Sequence, residues 1–233
     1  MDHVLNAGLL ALLVSPLVAL ALATSRSNRW RPALAFLALL ALDDLLTVGA
    51  FLVPSLGVFG GDWNWEGKVL SVIGSLVIVA MSSLSWREVG ATLRQREGSV
   101  RPAIIATALF TAFSFGIGLA FDGGPFDLET LAFQLSMPGI AEELAYRGVL
   151  FALLVRSFGE DSWWPVAITS VAFSIWHGFG VEDGVASFDW LSASFPFLGG
   201  IAYGWLRHKT GSILFPTVAH NLGNTAALVG GAL

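Results

Sequence analysis

Apolar residues run along this chain in stretches of about 20, longer and less interrupted than the one-sided stripes of a soluble helix. They occupy residues 4–24, 33–53, 69–86, 103–121, 128–155, 163–179, 188–206 and 212–233. Each is near the length a helix needs to cross a hydrocarbon core of roughly 30 Å. Short linkers separate them, with turn formers such as Gly60-Gly61-Asp62 and Asp122-Gly123-Gly124-Pro125. The pattern predicts an all-α, polytopic transmembrane bundle of about eight spans, with any active site inside the bundle. Residues 87–101 are the most polar stretch and read as a cytoplasmic loop. That loop divides the chain into residues 1–102, with three spans, and residues 103–233, with five.

Composition agrees with the pattern. Hydrophobic residues make up 55% of the chain and charged residues 12%, against about 25% charge in ordinary soluble domains. The absence of cysteine excludes disulfides and thiolate metal sites. The first apolar run is long enough to span and lacks a basic n-region, so it is expected to be a span rather than a cleaved signal. No nucleic-acid partner is expected.

The charges sort by side. With the N-terminus outside and the spans alternating, the inside loops hold Arg26, Arg29, Arg31, Arg87, Arg94, Arg96, Arg101, Arg156, Arg207 and Lys209. The outside loops hold only Lys68. This is the asymmetry of the positive-inside rule. Trp30, Trp86, Trp163, Trp164 and Trp205 fall near span ends, as interfacial anchors do. Gly200 and Gly204 have the small-xxx-small spacing of closely packed membrane helices. The expected location is a prokaryotic plasma membrane.

Four spans carry groups that lipid does not tolerate. The fifth has Glu142, Glu143 and Arg147, the sixth His177, the eighth His220 and Asn224, and the second Asp43 and Asp44. Two charged, unpartnered carboxylates at mid-bilayer would cost about 5–7 kcal/mol. Such groups persist where they face the bundle interior and find partners. Counting at about 1.5 Å per residue from the cytoplasmic end puts Glu142, His177 and Asn224 near one depth, about 20–22 Å in. Arg147 and His220 fall one turn below, about 14 Å in. Glu143 and Arg147 are spaced i, i+4 with the acid first, the better order for an ion pair. Glu142 lies about 100° around the helix. One glutamate can therefore pair with Arg147 while the other points at the histidines. Asp43 and Asp44 read as carboxylates facing a wet cavity from a tilted or interrupted second span.

In these residues, EExxxR (Glu142, Glu143, Arg147), FxxxH (Phe173, His177) and HxxxN (His220, Asn224) occur in order, each on its own span. Together they resemble the CPBP family, also called Abi or CAAX-protease-like intramembrane proteases. The resemblance covers residues 103–229 and includes Gly148, Thr210-Gly211-Ser212 and Pro216. It implies an intramembrane endopeptidase acting on membrane-anchored or lipidated proteins or peptides. Eukaryotic and archaeal members remove the last three residues of prenylated CAAX proteins, while bacterial members include bacteriocin-immunity and peptide-processing proteins. Carried over, Glu142 is the general base that activates water, helped by His177. His220 and Asn224 stabilise the oxyanion, and Glu143 and Arg147 orient the site. No cofactor is expected. If a metal such as zinc is used, Glu142, His177 and His220 are its ligands. Two other classes stay open on the residues alone: a proton- or ion-coupled transporter and a non-catalytic scaffold that keeps the protease fold.

Overall fold

The computed structural model describes residues 1–49, 63–121 and 126–233. Both glycine-rich linkers singled out above, and the end of the second predicted span, lie outside the described residues. The described chain is mostly helical. Its helices are α1 (Asp2–Thr24), α2 (Trp30–Gly49), α3 (Trp65–Met81), α4 (Trp86–Val89), α5 (Val100–Ala120), α6 (Leu128–Gln134) and α7 (Met137–Glu142). A π-helical stretch (Glu143–Leu150) then runs into α8 (Phe151–Phe158). After α9 (Trp164–Gly178) come strands β1 (Phe179–Glu182) and β2 (Val185–Phe188), then α10 (Trp190–Thr210) and α11 (Leu214–Gly231).

Two described helices, α1 and α5, are long and apolar enough to cross a membrane. Both turn large apolar side chains outward, among them Leu12, Leu20, Ile105 and Leu109. A face of that kind suits lipid rather than water. α3 and α9, with 17 and 15 residues, are short for the roughly 20 residues a span uses.

Three boundaries differ from the sequence reading, each for a local reason. The fifth apolar run is not one helix. Pro138 has no N–H to donate to Gln134, so α6 ends and α7 starts afresh with Pro138 in its first turn. Residues 179–188 depart from the all-α expectation by pairing as an antiparallel hairpin. Its tip, Asp183-Gly184, has φ of 49° and 75°, the left-handed pair that a two-residue hairpin turn requires. α3 begins at Trp65, four residues before the expected span. Asn64 caps it by accepting from the Gly67 N–H at 2.8 Å. Lys68, assigned to an outside loop above, therefore lies in the first turn of α3 and is buried.

The core lies where α1, α2, α8 and α9 close around the π-helical stretch, with Leu10, Phe36, Leu40, Tyr146, Leu150, Leu154, Ile168 and Phe173 at its centre. A smaller cluster of Ala103, Tyr203, Leu206 and Ala219 joins α5, α10 and α11. The Gly200/Gly204 spacing does what it predicts. An added Cβ at Gly200 would come within 2.9 Å of Ser170 Cα, and one at Gly204 within 3.0 Å of a Val166 methyl, so α9 and α10 pack backbone to backbone.

Candidate active site

The two adjacent glutamates have different surroundings. Glu143 is fully buried at the start of the π-helical stretch. Its Oε1 accepts from Arg147 Nη1 at 3.1 Å and from His220 Nδ1 at 2.8 Å. Arg147, also fully buried, donates through Nη2 to the Gly200 carbonyl at 3.3 Å. Its guanidinium lies 4.4 Å from the Phe173 ring centroid and 5.3 Å from that of Tyr203. These contacts offset the desolvation of the charge. π-helical turns are rare and recur at functional sites.

Glu142 ends α7 and lines a cavity of about 1250 Å³. Its Oε2 lies 3.7 Å from His220 Nε2 and has no hydrogen-bond partner among the described residues. Its Oε1 accepts from Lys68 Nζ at 2.5 Å. This ion pair is the partner that a mid-bundle carboxylate needs, and it comes from α3. His220 is the hinge between the glutamates, with Nδ1 on Glu143, Nε2 toward Glu142 and its ring stacked 4.7 Å from Tyr203. α7 can approach α11 this closely because residue 139 is glycine. The Gly139 N–H donates to Asn221 Oδ1 at 2.8 Å, where a side chain would meet the Thr217 carbonyl.

His177 stands exposed on the wall of the same cavity, in the last turn of α9. Its Nδ1 donates to the Phe173 carbonyl at 2.8 Å, because a carbonyl can only accept. In the neutral ring, Nε2 is then the free acceptor. Phe173 packs between the histidines, 4.5 Å from the His177 ring and 5.9 Å from that of His220. Asn224 also lines the cavity, and its Nδ2 donates to Gln134 Oε1 at 2.9 Å. The structure thus brings Glu142, Glu143, Arg147 and His220 into direct contact. His177 and Asn224 join them as walls of one cavity.

Glu142, His177 and His220, the trio that would ligate zinc, are not drawn together as a metal site. Among the described residues no group of three His, Asp or Glu side chains could hold an ion. The Lys68 ammonium occupies one side of the carboxylate that a metal would need.

Several residues at the site escaped the sequence reading. Lys68 is the foremost, and its Nζ also lies 4.8 Å from the Trp176 ring centroid. Trp176 in turn donates Nε1 to Asp44 Oδ1 at 2.9 Å, and Asn6 donates to Asp44 Oδ2 at 3.1 Å. Asp43 accepts from Ser71. α2 is unbroken through both aspartates, so they are not at a helix interruption, and Asp44 lines the cavity as a buried, hydrogen-bonded carboxylate. A lysine next to an apolar run was the available signal. Assigning it to a loop set that signal aside.

The cavity walls are mostly apolar, with Phe110, Phe113, Phe121, Phe133 and Phe195 among them. Glu142, His177, His220 and Asn224 are among its polar lining groups, together with Lys68, Asp44 and Gln134. A large apolar pocket with a few convergent polar groups is the usual form of a binding or catalytic site.

Residues 124–226 match the family model described as type II CAAX prenyl endopeptidase Rce1-like. The match is shorter at both ends than the 103–229 resemblance but holds all three motifs. No curated protein and no solved structure matches the chain. Residues 124–226, which carry Glu142, His177, His220 and Asn224, are thus similar to the Rce1-like CAAX endopeptidase family, consistent with the CPBP resemblance of their motifs.

Proposed function

We propose that the protein is a multi-spanning intramembrane endopeptidase that hydrolyses a peptide bond in a membrane-anchored or lipidated protein or peptide. Glu142 is the general base. Glu142 lines the cavity, and its Oε2, which has no hydrogen-bond partner among the described residues, is left to take a proton from water while Lys68 holds Oε1. His177 relays that proton, because its Nδ1–H is committed to Phe173 and Nε2 is left to accept. Asn224 has a second N–H beyond the one given to Gln134 and donates it to the oxyanion. His220 can donate there only as Nε2–H while Nδ1–H serves Glu143, so this role uses its imidazolium form. Glu143 and Arg147 touch no substrate in this scheme; they fix the ring of His220.

The observation that carries the reading is His220 held between two glutamates at the wall of a cavity that also contains His177 and Asn224. The scheme uses no metal, and what supports this is the Lys68 ammonium on Glu142. Prenylated CAAX proteins are the substrate class the family suggests, and a chain with its N-terminus outside and about eight spans is the topology that the charge distribution favours.

The test is cleavage of a mixed peptide library, including prenylated C-terminal peptides, by purified detergent-solubilised protein with a mass-spectrometric readout. Wild type and Glu142→Ala are compared with and without a chelator. Cleavage that survives the chelator and disappears in the variant is expected. Cleavage lost to the chelator and restored by zinc would replace the metal-free scheme.

A further inference from the structure

A second cavity, of about 740 Å³, opens at the far end of α3 and α10 and shares no lining residue with the cavity of Glu142. α4, the loop 90–99, the start of α8 and the end of α10 wall it. The loop is pinned in place. The Arg96 N–H donates to the Thr210 carbonyl at 2.9 Å, Ser212 Oγ to the Thr92 carbonyl at 2.6 Å, and the Ile213 N–H to the Gly90 carbonyl at 2.9 Å. The cavity is therefore preformed.

Its charges do not balance. Arg207, only 6% exposed, lines it without a carboxylate partner among the described residues. Its Nε donates to the Arg147 carbonyl at 2.9 Å and its Nη2 to the Glu88 carbonyl at 2.6 Å. Two of the lining acids are already neutralised, Glu88 by Arg156 and Glu160 by Arg96. Arg87 and Arg94 also line the cavity and have no ion pair among the described residues. Glu97 alone is left to oppose three guanidinium groups. Beside them Gln95 Oε1 is a buried acceptor without a donor among the described residues.

A buried guanidinium without a carboxylate is costly unless an anion completes it. The planar fork of arginine suits phosphate oxygens, and three such groups exceed what one carboxylate neutralises. We propose that this cavity binds a phosphate ester that also carries a hydroxyl, with Arg207, Arg87 and Arg94 on the phosphate and Gln95 Oε1 accepting from the hydroxyl. A lipid headgroup and a soluble ester share this chemistry. The Nε bond from Arg207 to the Arg147 carbonyl ties the cavity to the helix that carries the glutamates.

Two probes separate the sources, both applied to the full-length purified protein. Glycerol 3-phosphate is titrated calorimetrically, and phosphatidylglycerol retained from mixed phosphatidylcholine vesicles is counted by native mass spectrometry. The comparison variant is Arg87→Gln/Arg94→Gln, because both side chains are exposed and neither supports the core. Saturable binding of at least one probe is expected, weakened about tenfold or more in the double variant, as loss of charge-assisted contacts implies. Binding of the soluble ester alone assigns the site to a metabolite, and retention of the lipid alone assigns it to the membrane. Failure of both probes, or equal binding by wild type and variant, overturns the site. Neither readout depends on peptide cleavage, so it stands apart from the protease reading.

Discussion

The family-matched region and the N-terminal helices meet at one cavity on different terms. Within the matched region the polar residues partner one another: Glu143 holds Arg147 and His220, and Arg147 reaches the Gly200 carbonyl, with Glu143 Oε2 and Arg147 Nε left without a hydrogen-bond partner among the described residues. The N-terminal helices carry no motif. They supply single groups, Lys68 on α3 and Asp44 on α2, linked through Trp176 of the matched region. Glu142 is where the two meet, because its ionic partner comes from outside the matched segment. The comparison teaches that a motif can name the carboxylate and leave out the cation that makes it tolerable in the bundle.

The sharpest way to break this comparison is at its meeting point. Glu142→Gln is expected to cut kcat/KM for peptide cleavage about 10²–10⁴-fold, the worth of a general base. A drop of less than tenfold would move the base elsewhere. Lys68→Met comes next. It leaves Glu142 buried without its cation, and breaking such a pair costs about 3–5 kcal/mol, seen as a lower unfolding midpoint and slower cleavage. Were the N-terminal helices only an anchor, the change would stay near the ±0.5 kcal/mol of a surface substitution. Asp44→Asn keeps the shape but turns one acceptor into a donor facing Trp176 or Asn6, at a cost of about 1–3 kcal/mol. Thermal unfolding in detergent measures it.

The smallest effect lies outside the bundle. The hydrogen bonds from Arg156 lower the Glu88 carboxyl from 4.5 to about 2. A lowered folded-state pKa means stability that is complete above about 4.5 and fades as the pH falls toward 2. The Glu88 side chain is 40% exposed, so screening keeps the contribution below about 1 kcal/mol. Glu88→Gln should flatten the acid limb of the unfolding curve over that window. An unchanged limb would assign acid sensitivity to other groups.

The legible parts of the site were those whose signal is local. Glu143 and Arg147 announce their pair by i, i+4 spacing in an apolar run. The depth count set His220 level with Arg147, one turn below Glu142, whereas the structure places its ring between the two glutamates. The same count set Asn224 level with Glu142, yet Asn224 bonds Gln134. The reason is the break at Ser136, which lays α6 against α11 as a separate element. A count along one continuous helix does not contain that turn. The hairpin was readable in Asp183-Gly184, but an apolar hydropathy reading passes over a turn that short. Lys68 was lost to a boundary. Placing the third span at 69 made it a loop residue, whereas the Asn64 cap starts the helix at Trp65. Arg207, read above as an inside-loop residue, lies in the last turn of α10, and its burial follows from tertiary packing against Phe151 and Gly90 that no local pattern encodes.

The measurement that tests the composite site most directly is a double-mutant cycle on cleavage rates across wild type, Glu142→Gln, Lys68→Met and the double variant, each first checked for folding. If Lys68 acts through Glu142, adding Lys68→Met to Glu142→Gln should cost little or nothing further, giving strong non-additivity. Two losses that simply add would contradict the account, since the N-terminal lysine and the family glutamate would then serve cleavage independently.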